Sequence, residues 1–408
     1  MRRTQCSPCL LLTLTILGGI VMTGSSALAQ EKLLHNFGSK VNDGGSPSPL
    51  ISDAAGNLFG TSNTGGASNF GTVFELSPAA KGGWFERILF NFSGTGTGMR
   101  PTAALTMDSA GNLYGTTRLG GAFDHGVAFE LKHWPRGGWS QKVLFSFDAA
   151  GDEESPFGII CDAAGNLYGT SSGGFQGVGA VFKLSPGSGG EWKETVLHSF
   201  SFTDGAGPIG TLIFDSAGNL YGTTSDGGAY GGGTAFELSL IAGGSWTETI
   251  LHNFGNGTDG AQSVAGLTFD ASGNLFGTTK IGGTHHLGTV FELSPATNAT
   301  WTETVLDNFG SIGNGTGPRD SVASLVLDAA GNVFGTTLDG GAFGGGTVFE
   351  LKPAINGGWT ESTLHSFGHN TDGVSPSANL IINSSGNLFG TTDRGGLYGR
   401  GTVFEIAP

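Results

Sequence analysis

Apolar residues along this chain come in short bursts separated by turn formers. In one stretch, "TLIFD" ends at Asp215, "LYGTT" and "GTAFEL" follow, and "WTETILHNF" runs Trp246–Phe254. β-Branched and aromatic residues dominate each burst, and Gly, Pro, Asn, Asp and Ser lie between them, which predicts four strands. No segment after residue 29 shows the 3.6-residue spacing of an amphipathic helix. The turn after the first burst reads D-x-x-G-N. Its Asp can accept from amides further along, and Gly and Asn tolerate the positive φ of a tight hairpin.

The four bursts recur. "DAAGNLFGT" begins at Asp53, with close copies at Asp108, Asp162, Asp215, Asp270, Asp328 and, with Asn for Asp, at Asn383. A period near 55 residues signals a repeat architecture. Four strands per repeat in seven repeats predict an all-β fold, a seven-bladed β-propeller. The chain ends just after the seventh "GTVFEI", one strand short, and "EKLLHNF" (Glu31–Phe37) matches the missing fourth strand. The N-terminal strand is therefore expected to complete the last blade and close the ring, which removes exposed sheet edges.

These motifs, D-x-x-G-N-L-[YF]-G-T, then G-G, then G-T-V-F-E-L, resemble the GloVer tandem repeat family of exported bacterial proteins from Glu31 to Pro408. The resemblance implies the propeller fold and export, but no catalytic residue. The family carries a variable C-terminal anchor. None follows Pro408, which implies a soluble exported form.

The first 29 residues change the picture of the N-terminus. Arg2 and Arg3, the apolar run Leu10 to Val21 and Ala27-Leu28-Ala29 read as a cleavable signal peptide. That leaves 30–408 as one propeller domain, expected to be secreted or periplasmic and monomeric. No later segment has the roughly 18 apolar residues of a membrane span. One cysteine, Cys161, remains after residue 29, so no internal disulfide forms. Charged residues make up 12% of the chain and the net charge is −15. An acidic surface of this kind repels phosphate backbones and argues against nucleic acid.

Candidate chemistry is sparse. The four residues before each landmark, such as Thr211-Leu212-Ile213-Phe214, include no Asp, Glu, His, Lys or Arg. An acid/base or metal site in the channel wall would need such residues. No catalytic residue, metal site or cofactor is expected. Two loop sets share one face of a propeller: those joining strands two and three, and those leading to the next blade. The first set carries Phe123, Phe175, Tyr230, His285, Phe343 and Tyr398 after Gly-Gly, with Phe70 slightly later in the first blade. The second carries Asp43, Asp152, Asp204, Asp259 and Asp372. Rings beside carboxylates suit sugars, through stacking and hydroxyl acceptance. Asp124-His125, His285-His286, Arg400 and Arg319-Asp320 break the repeat pattern and are further binding candidates.

The sequence therefore favours a non-enzymatic binding propeller, with a glycan or envelope protein as partner. The alternative is a hydrolase or lyase acting on a polysaccharide or glycoside, with Asp152, Glu153, Glu154, Asp204 and Asp259 as acid/base suspects. The histidines of L-H-x-F (His35, His198, His252, His365) and the tryptophans that open the fourth strands are expected to serve the blade.

Overall fold

The computed structural model describes residues 29–134, 137–148, 155–173, 178–297, 300–310, 317–355 and 357–408. Seven four-stranded antiparallel blades, numbered 1–7 in chain order, are arranged as a propeller; a further short strand, Gly44–Pro47, joins the sheet of blade 1, and no α-helix occurs among the described residues. Blade 4 is representative. Its strands are Ile213–Phe214, Leu220–Thr223, Thr234–Leu240 and Trp246–Asn253. Blade 7 takes its outer strand, Gln30–Asn36, from the N-terminus, paired with Thr402–Ala407. Ring closure by the N-terminal strand is thus present.

The D-x-x-G-N turns fold as their chemistry dictates. In the first, Asp53 Oδ1 accepts the amides of Ala55 and Asn57, both at 2.9 Å, and Asp53 Oδ2 accepts Asn57 Nδ2 at 2.7 Å. Asn383 reproduces the two amide contacts in blade 7.

The core is divided among the seams between blades. At the seam of blades 1 and 2, Phe59 and Val73 of one pack on Phe129 and Leu131 of the other. The phenylalanine of each GTVFEL copy is fully buried: Phe74, Phe129, Phe182, Phe236, Phe291, Phe349 and Phe404. Burying such a ring contributes about 1.5–3 kcal/mol. The tryptophans bridge blades: Trp139 lies edge-on to Phe59 of blade 1, and Trp301 to Tyr221 of blade 4.

Every fourth strand carries a β-bulge at the same place. In blade 4, Glu248 pairs with Leu238 and Ile250 with Phe236, but His252 pairs with Ala235. Leu238 and Phe236 share one face of the third strand, and Ala235 lies on the other. The extra residue, Leu251, therefore reverses the faces of the residues after it. Without it, Glu248 and His252 would point the same way. With it, Glu248 faces blade 3 and His252 faces blade 5.

Candidate functional site at the blade seams

The bulge has a chemical consequence, because a histidine of one blade meets a glutamate of the next. Among the described residues, four seams collect His, Asp and Glu with donor atoms within 4.8 Å of one another. They are His35–Asp43–Glu86 between blades 7 and 1, His198–Asp204–Glu248 between 3 and 4, His252–Asp259–Glu303 between 4 and 5, and Glu31–His365–Asp372 between 6 and 7. The aspartate comes from the loop leading to the next blade. There it also anchors its own turn: Asp204 Oδ1 accepts the Ser201 amide at 2.7 Å, and Asp259 Oδ2 the Gly255 amide at 3.2 Å.

The four clusters differ in pairing. His252 Nε2 shares a 2.9 Å hydrogen bond with Asp259, and His365 Nε2 a 3.0 Å bond with Asp372. His198 Nε2 lies 3.3 Å from Asp204 Oδ2 and 3.6 Å from Glu248 Oε2, with no hydrogen bond formed. His35 Nε2 is similarly unbonded, 3.7 Å from Asp43 and 3.6 Å from Glu86. There, Lys40 supplies a cation 3.2 Å from the buried Glu86 carboxylate.

Burial separates the carboxyls in acidity. Burial, then the neighbouring Asp204, pushes Glu248 up to about 8. Burial, with the hydrogen bond and charge of Asp259, does the same for Glu303. Burial would also raise Asp259, but the His252 and Glu303 hydrogen bonds hold it below the usual range. Burial lowers His198, favouring the neutral imidazole.

Sequence reasoning assigned the four histidines to the blade and did not join them to acids. A signal was present. At the seam of blades 1 and 2, Phe90 stands at the histidine position, Thr97 near the aspartate position and Gln141 at the glutamate position. Three substitutions together at residues far apart in the chain mark a shared contact. Phe145 with Glu194 breaks the correlation at the next seam.

The sequence-selected residues divide into several groups. Phe123, Tyr230, Phe343 and Tyr398 are each about half exposed, at equivalent positions of their loops. His285 and Arg400 are also exposed, and Phe70 is half-buried. Asp124 and His286 occupy a left-handed backbone position, φ 65° and 60°, where other blades have Gly231, Gly344 and Gly399. Their departure from the repeat thus has a backbone role, since Asp and His tolerate that region better than most residues. Asp320 is another left-handed residue, and its amide reaches the Leu287 carbonyl of the preceding blade at 3.3 Å. His125 and Arg319 are half-buried. The aspartates Asp43, Asp204, Asp259 and Asp372 lie in the seam clusters. Asp152, Glu153, Glu154 and Phe175 lie outside the described residues, as does the signal segment except Ala29.

The rings and carboxylates meet at one seam. Phe343 and Asp372 line a pocket of about 320 Å³ with Glu31, His365, His369 and Asn370. Phe343 lies against His369, ring centres 4.7 Å apart and tilted by 35°. On the propeller axis, a cavity of about 270 Å³ is lined by Pro49, Ala104, Gly158, Thr211, Ser324 and Asn379 among others. The axial mouth differs. There Arg118 and Lys280, from the ends of second strands, join Phe157, Ile209, Val264 and Val322 around about 370 Å³. Reading only the first strands missed these two cations. Cys161 is half-buried and free, with Thr106 Oγ1 3.8 Å from its sulfur.

Repeated four-stranded blades, closed by the N-terminal strand and packed seam to seam, define a repeat β-propeller. The chain belongs to the Gloeobacter/Verrucomicrobia repeat family, which matches residues 17–176, 134–325 and 304–408. No curated protein matches it. Among solved structures it resembles PorZ, an essential bacterial surface component of the type-IX secretion system of Porphyromonas gingivalis. That match has TM-score 0.53 and 15% identity, over 90% of this chain and 47% of PorZ. It also resembles the extracellular domain of the putative one-component system BT4673 from B. thetaiotaomicron. There the TM-score is 0.55 and the identity 12%, over 92% of this chain and 39% of the other. The chain thus spans less than half the length of either, and at these identities the likeness is one of fold.

Proposed function

We propose that this is an exported, non-enzymatic binding propeller that holds a glycan against its loop face. The observation that carries the reading is the pocket between blades 6 and 7. Half-exposed Phe343, backed by His369, offers an apolar face for a sugar ring, and the exposed Asn370 and Thr371 supply amide and hydroxyl groups for its hydroxyls. Phe123, Tyr230 and Tyr398 present rings at equivalent loop positions, so an extended glycan could touch several blades. The basic start, apolar run and small-x-small site of residues 1–29 support export.

The hydrolase alternative is weaker. Asp204 and Asp259 each converge with a glutamate, and Asp259 and Glu303 diverge in acidity, the pattern acid/base catalysis uses. Yet each pair lies within 4.8 Å, closer than the roughly 5–9.5 Å that carboxyls flanking a glycosidic bond require.

The test is calorimetric titration of the protein with a panel of soluble oligosaccharides. Binding that Phe343→Ala weakens tenfold or more supports the reading. If no oligosaccharide binds, or if binding survives Phe343→Ala, Tyr230→Ala and Tyr398→Ala alike, the reading fails.

A further inference from the structure

The seam between blades 3 and 4 contains more ionisable chemistry than its packing requires. The seam of blades 1 and 2 fills the same positions with neutral groups. Phe90 packs edge-on to Phe92 at 5.2 Å, as His198 packs on Phe200 at 4.7 Å. Thr97 Oγ1 accepts the Ser93 amide at 2.9 Å, as Asp204 accepts that of Ser201. Gln141 Nε2 bonds the Thr97 carbonyl at 3.0 Å, where Glu248 faces Asp204 in the other seam. A neutral seam therefore joins blades without His, Asp or Glu.

Two further observations point to a ligand. Glu248 has a side chain nine-tenths buried, and the Oε1 of its carboxylate, beside the Oε2 that faces His198, has no hydrogen-bond partner. His198 Nε2 also lacks one, although its ring is turned toward both carboxylates. Among the described residues, no lysine or arginine forms an ion pair with Asp204 or Glu248, unlike Glu86 with Lys40. The nearest donor separations, 3.3 and 3.6 Å, are close to the edge of a tetrahedron with ligand bonds of about 2.0–2.1 Å. His198 and Asp204 keep 20% and 24% of their side chains exposed, which leaves an entry path and room for a water ligand.

We infer that His198 Nε2, Asp204 Oδ2 and Glu248 Oε2 form a divalent transition-metal site of the Zn²⁺ class, clamping blade 3 to blade 4. One imidazole and two carboxylates suit Zn²⁺ better than Ca²⁺, which favours six to eight oxygens. The seams at His252 and His365 are poorer candidates, because their imidazoles already bond an aspartate. The seam at His35 already has its lysine.

The test uses metal-stripped protein titrated with Zn²⁺ against a chromophoric chelator, and with Co²⁺ as a spectroscopic probe. The expected result is a tight Zn²⁺ equivalent and a visible Co²⁺ band of tetrahedral intensity. His198→Gln should weaken that equivalent at least tenfold and remove the band. His252→Gln should leave both in place. Glu248→Gln copies the Gln141 of the neutral seam, so it keeps the test valid if His198→Gln does not fold. It should also weaken Zn²⁺ at least tenfold. Absence of a saturable Zn²⁺ site, or identical titrations for wild type and both seam variants, would overturn the assignment.

Discussion

The seam between blades 4 and 5 and the seam between blades 1 and 2 share one backbone geometry. In each, a bulge splits the fourth strand, between Ala235 and Phe236 pairing in one and between Val73 and Phe74 pairing in the other. The first fills the resulting space with His252, Asp259 and Glu303, the second with Phe90, Thr97 and Gln141. Both bury a full phenylalanine core beside it. The difference teaches that the bulge and the core join the blades, and the ionisable cluster is added to a seam that already closes. A buried ionic group is not in itself a source of stability, because desolvation offsets much of its attraction.

The largest expected effect tests what the two seams share. Phe291→Ala and Phe129→Ala each open a cavity in a fully buried site. Each should cost about 3–5 kcal/mol in denaturant unfolding. A cost at one seam but not the other would break the claim of a common core.

The next effect separates them. His252→Ala leaves Asp259 and Glu303 facing each other without their imidazole, and should cost about 1–3 kcal/mol. Replacing the cluster with the residues of the neutral seam (His252→Phe, Asp259→Thr, Glu303→Gln) should cost less than the single change. If the triple variant is the less stable of the two, the ionic cluster stabilises its seam more than the neutral groups do theirs.

A smaller effect is pH dependence. Burial and Asp259 raise Glu303 to about 8 in the folded state, above its ordinary value near 4.5. The folded state therefore binds the proton more tightly, and this contribution to stability declines as pH rises from about 4.5 to 8. Asp259 has the opposite sign. Burial opposes it, but the hydrogen bonds from His252 and Glu303 lower its pKa, so its contribution is lost as pH falls below about 4. Metal-free unfolding curves from pH 4 to 9 should show Glu303→Gln flatter on the alkaline side than wild type. Equal slopes would contradict the shift.

The smallest effect concerns a loop on the same face. Asp124 is held at φ 65° and its Oδ1 accepts the Gly120 amide at 3.0 Å. Asp124→Ala should cost about 1 kcal/mol in thermal unfolding, and Asp124→Gly less, because glycine enters the left-handed region freely. If alanine is no worse than glycine, the backbone explanation of this departure from the repeat is wrong.

Much of the architecture was readable from local chemistry. The D-x-x-G-N turns and the four bursts per repeat specify hairpins and blades, because hairpin pairing and turn type depend on residues close in sequence. Closure pairs the two ends of the chain, and it was readable because "EKLLHNF" is a displaced copy of the fourth strand. The family resemblance rests on the same motifs. The seam clusters were not readable in this way. His198 and Glu248 lie in different blades, and only the bulge turns them toward each other. Likewise Arg118 and Lys280 reach the axial mouth from second strands, where the reading of first-strand residues could not place them.

The sequence by itself determined the fold class, the number of blades and the strand that completes the ring, since each depends on short-range periodicity repeated seven times. Tertiary structure alone decided which acids meet which histidines and how Phe343 comes to share a pocket with Asp372. One extra residue in a strand reverses every side chain after it, and the facing residue comes from the neighbouring blade, which at the seam of blades 6 and 7 lies at the other end of the chain.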